Sequence, residues 1–174
     1  MSDTLITVIA IFLAATLMFI FPLMAVASQN DEISQIAVQS IIADFTNTVA
    51  GQGKITLDEY DKFIQKLHST GNSFDVELEA KILDENPSRK ETTFTNQFLD
   101  KNVYYSEYTN TIENELHSDS QTYRLKKGDY IIVSVKNTNT TIGTQLKNFL
   151  YNIIGKDTYT IGATVSTLVT NTGK

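Results

Sequence analysis

Residues 5–27 read LITVIAIFLAATLMFIFPLMAVA, a run of 23 residues without a charged side chain. As an α-helix this run is about 34 Å long, enough to cross a hydrocarbon core of about 30 Å. Its many Leu, Ile, Phe and Val residues favour insertion by roughly 4 to 8 kcal/mol in total. The run therefore predicts a transmembrane anchor, with Pro22 kinking its outer end. The residues that we expect to hold it in lipid are Leu5, Ile9, Phe12, Leu13, Leu17, Phe19 and Pro22.

A cleaved signal peptide is the alternative interpretation of the same run. Ala25-Val26-Ala27 fits an A-x-A cleavage site, and cleavage after Ala27 would release a secreted soluble protein. However, the leading residues MSDT include Asp3 and no basic residue. The apolar run is also longer than the roughly 7 to 15 residues usual in a signal peptide. We therefore favour a retained anchor.

Helical spacing continues beyond the anchor. Over residues 31–50, apolar side chains recur on one helical face with polar residues between them. The set is Ile33, Ile36, Ala37, Ile41, Ile42, Phe45 and Val49. No strong helix breaker separates this segment from the anchor, which predicts one long helix ending at Gly51 and Gly53. We divide the chain into an anchor, 1–30, and a domain, 31–174, whose first helix, 31–50, continues the anchor.

The rest of the domain alternates between helix and strand patterns. A capping box at Thr56 and Glu59 predicts the start of a second helix. Strict alternation over 73–83 predicts a strand with one solvated face. Further on we expect a strand over 130–135, a helix over 140–154 and a last strand over 159–169. The predicted fold class is α+β: a long N-terminal helix, transmembrane then amphipathic, followed by a small domain in which helices pack an antiparallel sheet of three or more strands.

Two groups of side chains are candidates for contact with a partner. The first is an acidic row on the solvated face of the 73–83 strand, which could bind a partner or simply discourage edge pairing. The second is a cluster of tyrosines within 84–124, a stretch with no clear periodicity, and these could form an exposed patch or cover the sheet. The possible interaction face therefore consists of Asp75, Glu77, Glu79, Tyr104, Tyr105 and Tyr108.

Composition and motifs give little support for catalysis. The net charge of −6 argues against a nucleic-acid partner, and the absence of cysteine excludes disulfides and thiolate metal sites. His68 and His117 have no neighbouring ligands at metal spacing, and no phosphate loop or nucleophile elbow occurs. A catalytic triad assembled by folding stays open, because its members can lie far apart in sequence. We expect no enzymatic activity, no cofactor, no metal and no small-molecule substrate.

Several segments together resemble a known group of proteins. After the anchor and its amphipathic extension come Gly53-Lys54-Ile55-Thr56, Tyr60, Phe63, Leu67, Thr70-Gly71-Asn72, the strand 74–78 and the segment 128–133. This order resembles small pilin-like proteins of Gram-positive bacteria that are encoded with Tad-type pilus genes or on mobile elements. The TadE-like minor pilins and a DUF4320-like family are examples. Unlike type IV pilins, the chain has no Gly before a Phe and no Glu at the fifth mature position, so no prepilin-peptidase site is visible.

The resemblance implies a structural function in the cell envelope. It suggests a minor-pilin or pseudopilin-type subunit or assembly component of a pilus or secretion-like system. Its partners would be the lipid bilayer and other pilin-like subunits or an assembly platform. Because only four residues precede the apolar run and a large polar domain follows it, we expect a single-pass protein of the cell membrane with an extracytoplasmic C-terminal domain. A membrane-anchored extracytoplasmic binding module is the alternative, beside the secreted protein described above.

Overall fold

The computed structural model of the protein describes residues 2–84, 103–141, 145, 148 and 161–173. The fold is α+β, as predicted from the sequence. In chain order its elements are α1 (Ser2–Gln52), β1 (Lys54–Thr56), α2 (Leu57–His68), β2 (Phe74–Leu83), β3 (Tyr104–Tyr108), α3 (Thr109–Leu116), β4 (Thr122–Arg124), β5 (Tyr130–Asn137) and β6 (Gly162–Leu168).

The apolar run and the amphipathic segment form one helix, α1, which confirms their predicted continuity. It has 51 residues, runs through Pro22, and is about 76 Å long. It ends where Gly53 adopts a φ of +71° and its N–H donates to the carbonyl of Val49 at 2.8 Å. Glycine suits this position because a left-handed backbone costs it little.

The main sheet has four antiparallel strands in the order β3-β2-β5-β6. The register places Leu78 of β2 opposite Val133 of β5, which in turn lies opposite Val165 of β6. These residues share one face because side chains alternate along each strand. β1 and β4 form a separate two-stranded sheet.

The core lies between one face of the main sheet and the helices. The second half of α1 contributes a fully buried stripe that includes Val38, Ile42 and Val49. The ring of Phe45 in α1 stacks on that of Phe63 in α2, with centroids 4.3 Å apart. The capping box predicted for α2 is present, since Thr56 and Glu59 exchange hydrogen bonds. The opposite face of the main sheet, here called the outer face, carries mostly polar side chains.

The structure corrects several sequence predictions, and one predicted helix falls mostly outside the described residues. Ile33 and Ile36 were expected on the packed side of α1 but are 65% and 67% exposed, whereas Asp31 and Thr46 are buried. The helix turns about 100° per residue, so a stripe centred on Ile42 excludes Ile33, which lies on the opposite side. The unassigned stretch 84–124 contains β3, α3 and β4. Most of the helix predicted over 140–154 lies outside the described residues.

Candidate interaction surfaces

The first half of α1 presents apolar side chains to its surroundings along most of its length. Phe12 is 74% exposed and Phe19 is 78% exposed, and the other predicted anchor residues are exposed as well. Large apolar side chains on every side of a helix are typical of a segment that contacts lipid. This helix is long and apolar enough to span a membrane.

The junction between the two halves of α1 is fixed to the sheet by side-chain hydrogen bonds. The side-chain amide of Gln35 donates to the carbonyl of Gly162 at 2.6 Å and accepts from its N–H at 3.0 Å. Gln35 thus provides hydrogen-bond partners for both backbone polar groups of Gly162, the first residue of β6, as a neighbouring strand would. One turn earlier, Asp31 accepts a 3.0 Å hydrogen bond from the hydroxyl of Thr141. The sequence pattern missed Gln35, because a polar residue between apolar ones predicts a solvated position.

The C-terminal segment fixes the other end of the helix. The N–H and hydroxyl of Thr170 both donate to the carbonyl of Ala50, at 3.0 and 3.1 Å. The side-chain amide of Asn171 donates to the carbonyl of Gly51 at 2.6 Å. These donors satisfy carbonyls that a helix end otherwise leaves without partners. Since α1 contacts Gly162 through Gln35 and Thr170 through Ala50, α1 and β6 run in the same direction.

The acidic row lies on the outer face of β2, and its charge is partly neutralised. Glu79 accepts a 2.7 Å hydrogen bond from Ser106 and has the ammonium group of Lys81 at 4.0 Å. Asp75 lies opposite Lys136 of β5. The row is therefore less negative than its sequence suggests, because the alternation that aligns the carboxylates also brings lysines to the same face.

The tyrosines of β3 are divided between the two faces of the sheet. Tyr108 pairs with Glu79 and shares the outer face with it, whereas Tyr105 pairs with Ile82 on the other face. The ring of Tyr104 meets that of Tyr130 edge to face, with centroids 5.5 Å apart. The six residues predicted as one interaction face therefore lie on two surfaces, and Tyr105 is the residue set apart.

A groove of about 390 Å³ opens on the outer face where β3 passes into α3. β3 ends at Tyr108, and the side-chain hydroxyl of the next residue, Thr109, accepts from the N–H of Leu78 at 2.8 Å. Carboxylates beside a phenol ring and an amide suit a cationic side chain such as Lys or Arg. The residues around the groove include Glu77, Glu79, Tyr108, Asn110, Ile132 and Ser134.

Two buried tyrosines pair with glutamates away from this groove. The hydroxyl of Tyr60 donates to Glu113 at 2.7 Å, and that of Tyr123 donates to Glu107 at 2.7 Å. Burial is the largest cause of a raised pKa at both phenols, and the glutamate hydrogen bond and charge raise it further. These pairs tie α3 and β3 to the rest of the domain, which is a structural function.

Asp129 is a further residue whose function the sequence did not reveal. Its carboxylate is buried and accepts from the N–H groups of Leu83 at 2.9 Å and Lys126 at 2.7 Å. It therefore holds the turn before β5 against the end of β2. A Gly-Asp pair between two strands predicts such a turn, but the long-range contact with Leu83 depends on the register.

Metal-ligating residues are not gathered into a site in the part of the chain that the structure describes. No group of three or more His, Asp or Glu side chains there could hold a metal ion. His68 and His117 are both exposed.

Comparison with known proteins returns no relative. No family model matches the chain, and searches of curated proteins and of solved structures find no similar protein.

Proposed function

We propose that the protein is a non-enzymatic, pilin-like component of the cell envelope, held in the membrane by α1 with its domain on the extracytoplasmic side. It would act as a structural or assembly subunit of the minor-pilin or pseudopilin type. The observation that supports this most is the division of α1 into an exposed apolar half and a half that forms the core of the domain. Such a helix can exchange lipid for neighbouring helices while its domain stays folded.

The continuity of α1 supports a retained anchor. The helix passes through Ala27 and Ser28, where a signal peptidase would cut, and continues directly into the buried stripe. Cleavage there would remove the apolar half and leave the domain soluble. Mass spectrometry of the mature N-terminus tests this point, and a chain beginning at Ser28 would overturn the proposal.

The partner is tested by cross-linking in cells. The chain has no cysteine, so Leu13→Cys places a single thiol on the exposed half of α1. We expect a reagent that joins a thiol-reactive maleimide to a benzophenone, which inserts into C–H bonds on illumination, to link it to other pilin-like subunits or to an assembly platform, identified by mass spectrometry. Ser120→Cys, on an exposed loop of the domain, is the matched control for random collision. If Leu13→Cys gives no more product than Ser120→Cys, the pilin-like role fails.

An anchored binding module is the second candidate, favoured by the groove beside Glu77. In this case the domain would capture a basic segment of another envelope protein. Glu77→Lys should then abolish binding, whereas Glu32→Lys, an exposed change on α1, should not. Equal binding by both variants would exclude the groove.

A further inference from the structure

One line of exposed residues on α1 continues past the apolar run. Residues seven apart lie on nearly the same side of a helix, because seven residues make almost two turns. Along this line every side chain is apolar and more than half exposed up to Ile33. The next two positions, Ser40 and Asn47, are polar. The apolar members are Leu5, Phe12, Phe19, Val26 and Ile33.

Ile33 and Ile36 lie beyond the part of α1 that the hydrocarbon core accommodates. Their Cα atoms are about 9 Å and 13 Å along the helix from Ala27. Both are about two-thirds exposed, at 65% and 67%, although they sit next to a folded domain. Exposed isoleucines at this level are explained if something apolar covers them.

The geometry of α1 favours the bilayer as that cover. The run 5–27 is about 34 Å long and the hydrocarbon core about 30 Å thick, so the helix can tilt to bury it. A tilt toward the exposed line would bring Ile33 down to the headgroup layer, which is roughly 5 to 7 Å thick on each side. Ile33 lies opposite Ile42 on the helix, so the same tilt raises the domain away from the membrane.

A second copy of α1 fits this line less well. Helices that pack together within a membrane usually approach through small residues. The apolar part of the line contains Leu, Phe, Val and Ile and no Gly, Ala, Ser or Thr. Bulky side chains of this kind suit disordered lipid chains better than a closely packed helix.

We infer that α1 leans onto the membrane along this line, with Ile33 in the interfacial layer of a phospholipid bilayer. The inference rests on the retained anchor of the proposed function. It adds a second membrane contact beyond the spanning segment, one that fixes which side of the domain faces the lipid. The outer face and its groove are then free to meet partners.

Tryptophan fluorescence tests this contact, because the chain has no natural tryptophan. Full-length Phe12→Trp, Ile33→Trp, Ile36→Trp and Asn47→Trp variants would be placed in phosphatidylcholine vesicles with and without brominated acyl chains. We expect brominated lipid to reduce emission at positions 12 and 33, to reduce it more weakly at position 36, and to leave position 47 unchanged. All four positions are exposed, so the domain should fold in each variant.

The outcomes separate this inference from the proposed function. Quenching at position 12 without quenching at position 33 would overturn the membrane contact and leave the anchor intact. No quenching at position 12 would overturn the anchor itself. Blue-shifted but unquenched emission at position 33 would mean that protein, such as a second copy, covers the line, and would also overturn the inference.

Discussion

The two halves of α1 both carry large apolar side chains but use them in opposite ways. Ile9 in the first half is 57% exposed, whereas Ile42 in the second half is fully buried. In the proposed function the first half needs only an apolar solvent, which tolerates many side chains of similar hydrophobicity. The second half must fit the sheet and α2, and it does so with specific packing and with polar contacts from Asp31 and Gln35. A helix can therefore carry large apolar side chains along its whole length while only one half of it specifies the fold.

The largest expected effect comes from the same truncation made in each half. Ile42→Ala removes a fully buried side chain and should lower the free energy of unfolding of the domain by about 2 to 5 kcal/mol. Ile9→Ala is the matched control, and it should leave domain stability within about 0.5 kcal/mol of wild type. Denaturant unfolding followed by circular dichroism measures both. Equal destabilisation by the two variants would mean that both halves of α1 contribute to the stability of the domain.

This division also explains how much of the fold the sequence could predict. Patterns of hydrophobicity indicated the long helix, the α2 cap and the alternation of β2, because each depends on residues close in sequence. They misplaced Ile33 and Ile36, since an apolar residue that continues a long apolar run need not face the protein. They also missed Gln35 and the division of the β3 tyrosines, which depend on pairing with strands far away in sequence.

Alkaline pH should distinguish the apolar half of α1 from the folded domain, because the first tyrosine of the chain is Tyr60. The pKa of Tyr60 and Tyr123 is raised in the folded state, so their stabilising contribution is complete below the unfolded pKa of about 10. Above that pH the unfolded chain loses these protons first. The free energy of unfolding should then fall by up to about 1.4 kcal/mol per pH unit for each tyrosine.

Unfolding measured between pH 8 and pH 12 tests this expectation. Tyr60→Phe and Tyr123→Phe should each make the alkaline decline shallower, and the double variant should make it shallower still. The apolar half of α1 has no tyrosine, so alkaline carbonate should leave the protein in the membrane pellet even as the domain unfolds. If the free energy of unfolding fell equally steeply with pH in wild type and in the double variant, the alkaline decline would not be due to Tyr60 and Tyr123.

The smallest effect is expected at Gln35, where the two halves meet. Gln35→Ala removes both hydrogen bonds to Gly162 and should cost about 1 to 2 kcal/mol of domain stability. Gln39→Ala, exposed one turn later, should change it by less than about 0.5 kcal/mol. Gln35→Glu separates hydrogen bonding from packing, because a carboxylate can accept from the N–H of Gly162 but cannot donate to its carbonyl. If Gln35→Glu were as stable as wild type, the amide would not be acting as a strand partner. The attachment of α1 to β6 near Gly162 would then depend on the neighbouring apolar contacts alone.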